Sequence, residues 1–222
     1  MDQEEFKPEF VTNYKVNVRE PSDLALSFDG NSLWTVSDSN STVYKISFDG
    51  KIKTSFKVDG YDLEGITQIN DSTLAVILER DRTVVIVDTN GIEHNRIKIN
   101  KNGELNLGFE GITYNPNNKH LYIVNEKEPG QLIELDDNYK IVKETDLTFA
   151  KDYSGINYNK ADNGFWIISD ESSLLAQCDI NGNVINRFSY KLRQIEGVAV
   201  DQKNRIIYLV SDLDEELYVF KY

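Results

Sequence analysis

Short runs of alternating apolar and polar residues recur along the chain, each of strand length and each bounded by turn-forming residues. The stretch from Gly108 to Asn125 shows the unit: a Glu-Gly pair opens an apolar run, a turn rich in Asn follows, and a second alternating run ends at Asn125-Glu126. Alternation with a period of two is typical of a strand buried on one face. No window shows a sustained period of 3.6 residues, so we expect almost no helix.

The unit is present five times. Four copies open at Glu64-Gly65, Glu110-Gly111, Ser154-Gly155 and Glu196-Gly197, and a degenerate first copy begins at Leu24. A repeat of about 40–47 residues lies in the range of propeller blades rather than of helical repeats. Each of the first four copies reads as four strands, with a hairpin turn before the last strand. These turns are predicted at Asp49-Gly50, Asn90-Gly91, Asp137-Asn138 and Asn181-Gly182.

The fifth copy lacks a fourth strand, because the sequence ends at Tyr222 soon after its third. The segment Phe10–Val18 precedes the first copy and has the length and alternation to supply the missing strand. Such a closure leaves no open seam between the first and last blades. The sequence therefore predicts an all-β fold, a five-bladed β-propeller of four-stranded antiparallel blades whose last blade is completed by the N-terminal strand. A six-bladed-like ring is the alternative. We expect residues 1–9 to be a polar leader and residues 10–222 to be a single propeller domain.

Composition narrows the classes of partner. Lys and Arg number 24 against 37 Asp and Glu, a net charge of −13. Nucleic acids and anionic membranes attract basic surfaces, so we expect neither as a partner. We also expect no membrane-spanning segment, since no apolar run is long enough. Cys178 is the single cysteine and lies in an apolar run, which favours a buried thiol. The charge permits cationic partners, divalent metals above all.

The acidic residues recur at two positions of the repeat. In a propeller, the loop entering the innermost strand and the loop leaving the second strand emerge on the same face. We call the residue that starts the inner strand the opening position and the residue that follows the second strand the closing position. The opening positions are Leu24 (with Asp23 beside it), Glu64, Glu110, Ser154 and Glu196, and the closing positions are Asp38, Glu79, Glu126, Asp170 and Asp212. These carboxylates are expected to converge on one mouth of the central channel.

Carboxylates gathered at a narrow mouth repel one another, and three arrangements relieve the repulsion. A cation can neutralise them, some can hold protons, or the side chains can cap turns instead. We expect a divalent cation, Ca²⁺ in particular, held by Glu64, Glu110, Glu196, Glu126, Asp170 and Asp212. Further ligand-binding candidates near the mouth are Asp38, Glu79, Arg80, Lys127, Ser154 and Arg193.

Other catalytic chemistry is weakly represented. His94 and His120 fall away from the expected mouth, and no Ser-His-Asp set or zinc-type Cys/His cluster can be assembled there. Three functional hypotheses follow: a binding propeller with a divalent-metal site, a metal-dependent hydrolase of esters, lactones or phosphoesters, and a metal-free interaction scaffold. In the hydrolase, Glu64 or Glu110 is the expected general base. The ligand, a small molecule or a protein, is not specified by the sequence.

The ordered series of motifs resembles the SdiA-regulated (YjiK-like) bacterial family. The resemblance covers nearly the whole chain from about Pro21, through the segments Asp62–Ile66, Gly108–Tyr114, Asn125–Pro129, Tyr153–Tyr158, Ile168–Ser172 and Ile195–Ala199. It implies a five- or six-bladed propeller, a bacterial origin and a location in the cell envelope, periplasmic or surface, with the cytoplasm as the alternative. More distantly, the layout is similar to calcium-dependent lactonase and esterase propellers. Those often use a mouth histidine that this sequence lacks.

Overall fold

The computed structural model describes residues 7–101 and 108–222, so residues 1–6 of the expected polar leader lie outside the described residues. The described residues form five four-stranded antiparallel sheets. In chain order, the strands are β1 (Glu9–Lys15), β2 (Pro21–Leu26), β3 (Leu33–Ser37), β4 (Thr42–Ile46), β5 (Ile52–Lys57), β6 (Leu63–Gln68), β7 (Thr73–Leu78), β8 (Thr83–Asp88), β9 (Glu93–Lys98), β10 (Phe109–Asn115), β11 (His120–Asn125), β12 (Gln131–Leu135), β13 (Ile141–Asp146), β14 (Gly155–Asn159), β15 (Gly164–Ser169), β16 (Leu174–Asp179), β17 (Val184–Ser189), β18 (Ile195–Asp201), β19 (Ile206–Ser211) and β20 (Glu216–Lys221).

The sheets are the blades of a five-bladed β-propeller, as predicted. Blades 1 to 4 are β2–β5, β6–β9, β10–β13 and β14–β17, and blade 5 is β18–β20 together with β1. The inner strands β2, β6, β10, β14 and β18 each contact the next, and β18 contacts β2. The ring is therefore closed.

The N-terminal strand completes blade 5, also as predicted. β1 pairs antiparallel with β20, with Tyr14 opposite Leu217. The strand is shorter than the predicted Phe10–Val18, because Val16 and Val18 lie beyond it in the apolar core between blades 5 and 1. This segment thus joins the two ends of the ring by a strand ladder and by buried valines.

The hydrophobic core is divided into five clusters, one between each pair of adjacent blades. The second strands are buried on both faces and the third strands are mostly buried, whereas the outer strands β1, β5, β9, β13 and β17 are largely exposed. Trp34 and Trp166 are fully buried in two of these clusters, and Cys178 is buried in a third, as expected. Packing between blades, and not a ligand, accounts for these residues.

Glycine at the start of the inner strands permits the close approach of the blades around the axis. A Cβ atom on Gly111 would lie 2.7 Å from the Cα of Gly155 and the nitrogen of Ile156 in the next blade. A Cβ on Gly197 would lie 2.6 Å from the carbonyl carbon of Asp23. Both neighbours are backbone atoms, so no rotamer change could relieve the overlap.

Blade 1 carries Asp23 where the other blades carry glycine. Pro21 pairs with Ser37 and Asp23 with Val36. In blade 2, Leu63 and Gly65 pair in the same way with the second strand, with Leu78 and Ile77. Ser22 therefore occupies the opening position, and our prediction of Leu24 was wrong by two residues. The error arose because blade 1 has Ser22-Asp23 where the other blades have Glu-Gly or, in blade 4, Ser-Gly.

The side chain of Asp23 is fully buried at the axis of the ring. Its carboxylate accepts hydrogen bonds from the N–H of Leu24, at 2.7 Å, and of Ile66, at 2.9 Å. Burial raises the pKa of Asp23, and these N–H groups oppose the rise. Asp23 thus satisfies inner-strand amides and fills the axis beside the glycines.

The hairpin turn of blade 3 runs through Asp137-Asn138, as predicted, because the N–H of Tyr139 donates to the carbonyl of Asp136 at 2.9 Å. Tyr139 closes this turn with a positive φ (61°), where blades 1, 2 and 4 have Gly50, Gly91 and Gly182. The ring of Tyr139 packs against the core between blades 2 and 3, which compensates for the strained backbone.

We predict that Gly111→Ala lowers the free energy of unfolding by about 3 kcal/mol, because the new methyl group overlaps the backbone of blade 4. Urea denaturation measures the change. Gly30→Ala is the control: Gly30 has φ 67° and open space around its missing Cβ, so the substitution costs about 1 kcal/mol through backbone strain alone. Equal costs for the two variants would contradict the close-approach argument.

Candidate functional site

A cavity of ≈ 340 Å³ opens at the end of the channel where the inner strands begin. All five blades contribute to it, and eleven of its thirteen lining residues are Asp or Glu. The lining consists of Glu20, Ser22, Asp38, Glu64, Glu79, Glu110, Glu126, Asp152, Ser154, Asp170, Glu171, Glu196 and Asp212. The structure therefore brings together the eight acidic opening and closing residues and Ser154, whereas Asp23 is buried and does not line the cavity.

The opening glutamates are positioned by irregular strand pairing. The register between the first two strands shifts around Glu64 and around Glu196, as in a β-bulge. A bulge leaves one residue unpaired and turns its side chain, and bulges are common beside functional sites. In blade 4 the register does not shift, and Ser154 is held in the fold by a 3.3 Å hydrogen bond from its hydroxyl to the carbonyl of Ile195.

Strained backbone supports the same loops. Glu20, Asp62 and Gln194, each two residues before an opening position, have φ values of 46°, 55° and 41°. Each such residue costs on the order of 1 kcal/mol. Their carbonyl groups accept the backbone N–H of the closing residues in the same blades, at 3.3, 3.0 and 3.0 Å. The strained loops thus fix the closing carboxylates beside the opening ones.

The closing carboxylates differ in their hydrogen bonds. Glu79 accepts the N–H of Gly108 at 2.9 Å, and Asp170 accepts the N–H of Ile195 at 3.2 Å, in each case from the next blade. In each of these two residues, at least one carboxylate oxygen therefore accepts a backbone N–H group, as in the turn-capping arrangement. Asp212 differs, because its buried Oδ1 has no hydrogen-bond partner among the described residues.

Burial raises the pKa of the opening glutamates and of the closing carboxylates, and repulsion from neighbouring carboxylates adds to the rise. The effect is largest for the opening glutamates: the pKa of Glu64 and Glu110 is well above the ordinary value, and that of Glu196 is about 8. Burial, followed by the charge of Asp62, raises the pKa of Asp38 to about 6. Burial also raises the pKa of the remaining closing residues, Glu79, Glu126, Asp170 and Asp212. The folded mouth therefore favours bound protons or a bound cation over bare charge.

Two groups of three carboxylates have the spacing of a cation site. Asp38, Asp62 and Glu64 form the first, and Glu79, Glu110 and Glu126 form the second. In each group one oxygen from every residue lies within 4.8 Å of the others. Oxygens that surround Ca²⁺ at about 2.3–2.6 Å are separated by similar distances. Three expected ligands lie outside these groups but line the same cavity: Glu196, Asp170 and Asp212.

The basic candidates lie around the rim. Arg80 pairs with Asp62, and Arg193 pairs with Asp214. Lys127 lies 2.7 Å from Glu126 and 3.0 Å from Glu171, and these contacts raise the pKa of Lys127. None of the three lines the cavity, so the structure places them as neighbours of the acidic cluster.

The histidines lie where the sequence placed them. His94 is exposed on the outer strand β9, and Nδ1 of His120 lies 2.7 Å from Glu134 at the far end of β11. Neither lines the mouth cavity.

Sequence reasoning missed five residues of the mouth: Glu20, Ser22, Asp62, Asp152 and Glu171. Three of them, Glu20, Asp62 and Asp152, stand two residues before an opening position. An acid at that position in three of five repeats was a usable signal, but misalignment of the first copy concealed it. Asp152 also accepts a hydrogen bond from Ser169 and so ties its loop to the end of β15.

The fold and the site together define a five-bladed β-propeller with an acidic cavity at one mouth of its channel. The described residues contain no helix long and apolar enough to cross a membrane. A model of the SdiA-regulated family matches residues 9–221. The chain therefore belongs to the SdiA-regulated family.

Several solved structures are similar to this chain in fold. Glutaminyl cyclase from Myxococcus xanthus is similar with a TM-score of 0.78 and 10% identity, over 97% of this chain and 96% of that one. A luciferin-regenerating enzyme gives a TM-score of 0.61 and 12% identity, over 97% and 95% of the two chains. Virginiamycin B lyase from Staphylococcus aureus gives 0.56 and 17%, over 96% and 74%. At these identities the likeness is one of fold alone.

We predict that, without divalent cations, the free energy of unfolding falls as pH rises from about 5 to about 9. The folded mouth binds more protons than the unfolded chain, because its carboxyl pKa values are raised. For Glu196 the loss extends from the ordinary pKa of 4.5 to about 8. Glu196→Gln removes this ionisation and flattens the profile by on the order of 2–4 kcal/mol, measured by urea denaturation at several pH values in EDTA.

The matched control is Glu93→Gln, on the outer strand of blade 2. Its partner Arg96 lowers the pKa of Glu93, so this variant leaves the downward slope in place. A wild-type profile that rises with pH across this interval would show that the mouth is not under electrostatic stress.

Proposed function

We propose that the protein is a binding propeller whose acidic mouth holds a divalent cation, Ca²⁺ in particular, and presents that face to a ligand or partner. The observation that carries the proposal is the pair of carboxylate trios at a cavity where burial and repulsion raise the pKa of the acids. A divalent cation in either trio replaces that repulsion with attraction.

The donor set supports Ca²⁺ over transition metals. The cavity lining offers carboxylate and hydroxyl oxygens, with neither imidazole nor thiolate among its residues. Zn²⁺ and Cu²⁺ favour nitrogen and sulfur donors, whereas Ca²⁺ takes six to eight oxygens in flexible geometry. Carboxylates from several blades, with waters, meet that requirement.

The cavity has room for more than an ion. A volume of ≈ 340 Å³ lies in the range of small-molecule sites. A bound cation leaves coordination positions open toward solvent, and an anionic group of a small molecule or a protein is the chemistry that fills them. We propose an envelope location with this role, as the family resemblance implies, since extracellular calcium modules function with sites of modest affinity.

We predict that Ca²⁺ raises the melting temperature. Saturation at about 100 times the dissociation constant stabilises the folded state by about 2.7 kcal/mol, which is about 5–10 °C for a chain of this length. Differential scanning fluorimetry at pH 7.5, after EDTA treatment and dialysis, measures the shift. Glu110→Gln and Glu64→Gln, one in each trio, reduce it.

Glu144→Gln is the matched control, because Glu144 lies on the outer strand β13 of blade 3, pairs with Lys101 and does not line the mouth cavity. This variant keeps the full Ca²⁺ shift. An unchanged melting curve of the wild-type protein at millimolar Ca²⁺ counts directly against the metal site and favours the metal-free scaffold.

A second candidate function is a metal-dependent hydrolase of esters, lactones or phosphoesters. It is favoured by the pKa of Glu196, about 8, because a carboxyl group that titrates near neutral pH suits general acid–base catalysis. The cation would polarise the scissile group, and Glu64 or Glu110 would take the proton from the attacking water.

For this second candidate, we expect turnover of at least one substrate class in a screen of esters, lactones and phosphoesters, and loss of that turnover with EDTA. Glu110→Gln should lower kcat by at least about 100-fold if Glu110 is the base. Glu144→Gln again serves as the control. Absence of turnover while Ca²⁺ still stabilises the fold assigns the mouth to binding alone.

A further inference from the structure

Two of the five closing residues are followed by a basic residue, Arg80 in blade 2 and Lys127 in blade 3. Each basic side chain reaches one of the two carboxylate trios. Arg80 pairs with Asp62 of the first trio, and Lys127 pairs with Glu126 of the second. Each trio therefore contains one carboxylate whose charge is already balanced by a side chain of the protein.

The Lys127 ammonium group lies between two loops of the mouth. Its Nζ atom is 2.7 Å from Oε1 of Glu126 and 3.0 Å from Oε1 of Glu171 in the next blade. Both carboxylates line the acidic cavity, but the side chain of Glu126 is 18% exposed and that of Glu171 is 48% exposed. Lys127 thus has one partner inside the mouth and one at its rim.

A divalent cation in the second trio competes with this ammonium group for Glu126. A Ca²⁺ ion binds carboxylate oxygens at about 2.3–2.6 Å. A cation bound to the same carboxylate as Lys127 would stand within about 7 Å of Nζ, and two positive charges at that distance repel each other. Entry of the divalent cation therefore favours separation of Lys127 from Glu126.

The loop around Lys127 is held by contacts that do not involve the ammonium group. The N–H of Glu126 donates to the carbonyl of Gly108 at 2.9 Å. The Nδ2 atom of Asn125 donates to the carbonyl groups of Lys127, at 3.2 Å, and of Pro129, at 2.9 Å. The side chain of Lys127 can therefore leave Glu126 by rotation about its own bonds, while the backbone keeps it at the mouth.

Once it is released from Glu126, the ammonium group of Lys127 becomes a binding group for an oxyanion. One oxygen of a phosphate or carboxylate group can fill an open coordination position of the cation, while a second oxygen accepts a hydrogen bond from Nζ. Without the cation, Lys127 is engaged by acids and the acidic lining repels an anion. Cation and oxyanion binding are therefore coupled.

We propose that Lys127 is a tethered counter-ion of the mouth, which the divalent cation displaces from Glu126 and which then binds a phosphate or carboxylate group of the ligand. This inference rests on the proposed function, because it requires the cation. It assigns the ligand to the oxyanions and makes its binding conditional on the cation. Arg80 has the same relation to Asp62 in the first trio.

Isothermal titration of Ca²⁺ at pH 7.5 and about 150 mM salt tests the displacement step. Lys127→Gln removes the competing charge and tightens Ca²⁺ binding by about tenfold, whereas Lys127→Arg, which keeps the charge, stays within about threefold of the wild-type affinity. Circular dichroism confirms that the variants remain folded.

Lys151→Gln is the matched control. Lys151 is exposed in the loop that carries Asp152 of the mouth, and it forms no ion pair with a described residue. Its removal takes away the same charge near the mouth without releasing a carboxylate. At this salt concentration the Ca²⁺ affinity therefore changes by less than about twofold.

Ligand-observed NMR with phenyl phosphate, benzoate and benzyl alcohol, each at about 5 mM, tests the second step with and without Ca²⁺. Phenyl phosphate or benzoate binds when Ca²⁺ is present and not in EDTA, and the tighter of the two identifies the oxyanion. Benzyl alcohol, which has no charge, does not bind. Lys127→Gln lowers the affinity for the anion by about tenfold although its Ca²⁺ affinity is higher.

Opposite signs of these two effects distinguish a tethered counter-ion from a purely structural ion pair. The proposal is overturned if Lys127→Gln and Lys151→Gln change the Ca²⁺ affinity equally, if neither anion binds the Ca²⁺-loaded protein, or if Lys127→Gln leaves anion binding unchanged. With Ca²⁺ binding by the wild-type protein intact, these results leave the proposed cation site in place. Absence of Ca²⁺ binding in both the wild-type protein and Lys127→Gln overturns both.

Discussion

The close approach of five inner strands around one axis is the constraint on which the rest of the molecule depends. Four inner strands meet it with glycine, whose missing side chain lets the backbones of neighbouring blades come into contact. The fifth meets it with Asp23, which turns its carboxylate onto the N–H groups of Leu24 and Ile66. Closure by β1 then removes the seam, so that blades 5 and 1 approach as closely as the others.

This narrow ring determines the electrostatics of the mouth. The residues immediately before the glycines stand as close together as the strands themselves, and three of them are glutamates. Burial prevents water from screening them, so their pKa values rise. The strained residues Glu20 and Asp62 hold the closing carboxylates in the same space. The fold holds like charges together at the cost of backbone strain. Binding of a cation or a proton at the mouth therefore stabilises it.

Much of this architecture can be predicted from the sequence, because period-two alternation predicts the strands and the regular repeat predicts the blades. The second alternating run of the third copy, for example, forms the strand His120–Asn125 and ends at Asn125 as predicted. The first repeat could not be aligned by pattern, because Ser22-Asp23 has no glycine and its equivalence to the Glu-Gly pairs is visible only in the strand pairing. The pairing of Lys127 with Glu126 and Glu171, and the two separate trios, depend on side-chain geometry that repeat spacing does not encode.

The account depends most on whether the raised-pKa carboxylates exchange protons for a divalent cation. Isothermal titration of Ca²⁺ into the EDTA-treated, dialysed protein at pH 7.5, in two buffers of different ionisation enthalpy, measures this directly. The account predicts saturable binding with a buffer-dependent enthalpy, because protons held by groups such as Glu196 are released when the cation enters. Absence of binding, or binding whose enthalpy is the same in both buffers, would contradict it.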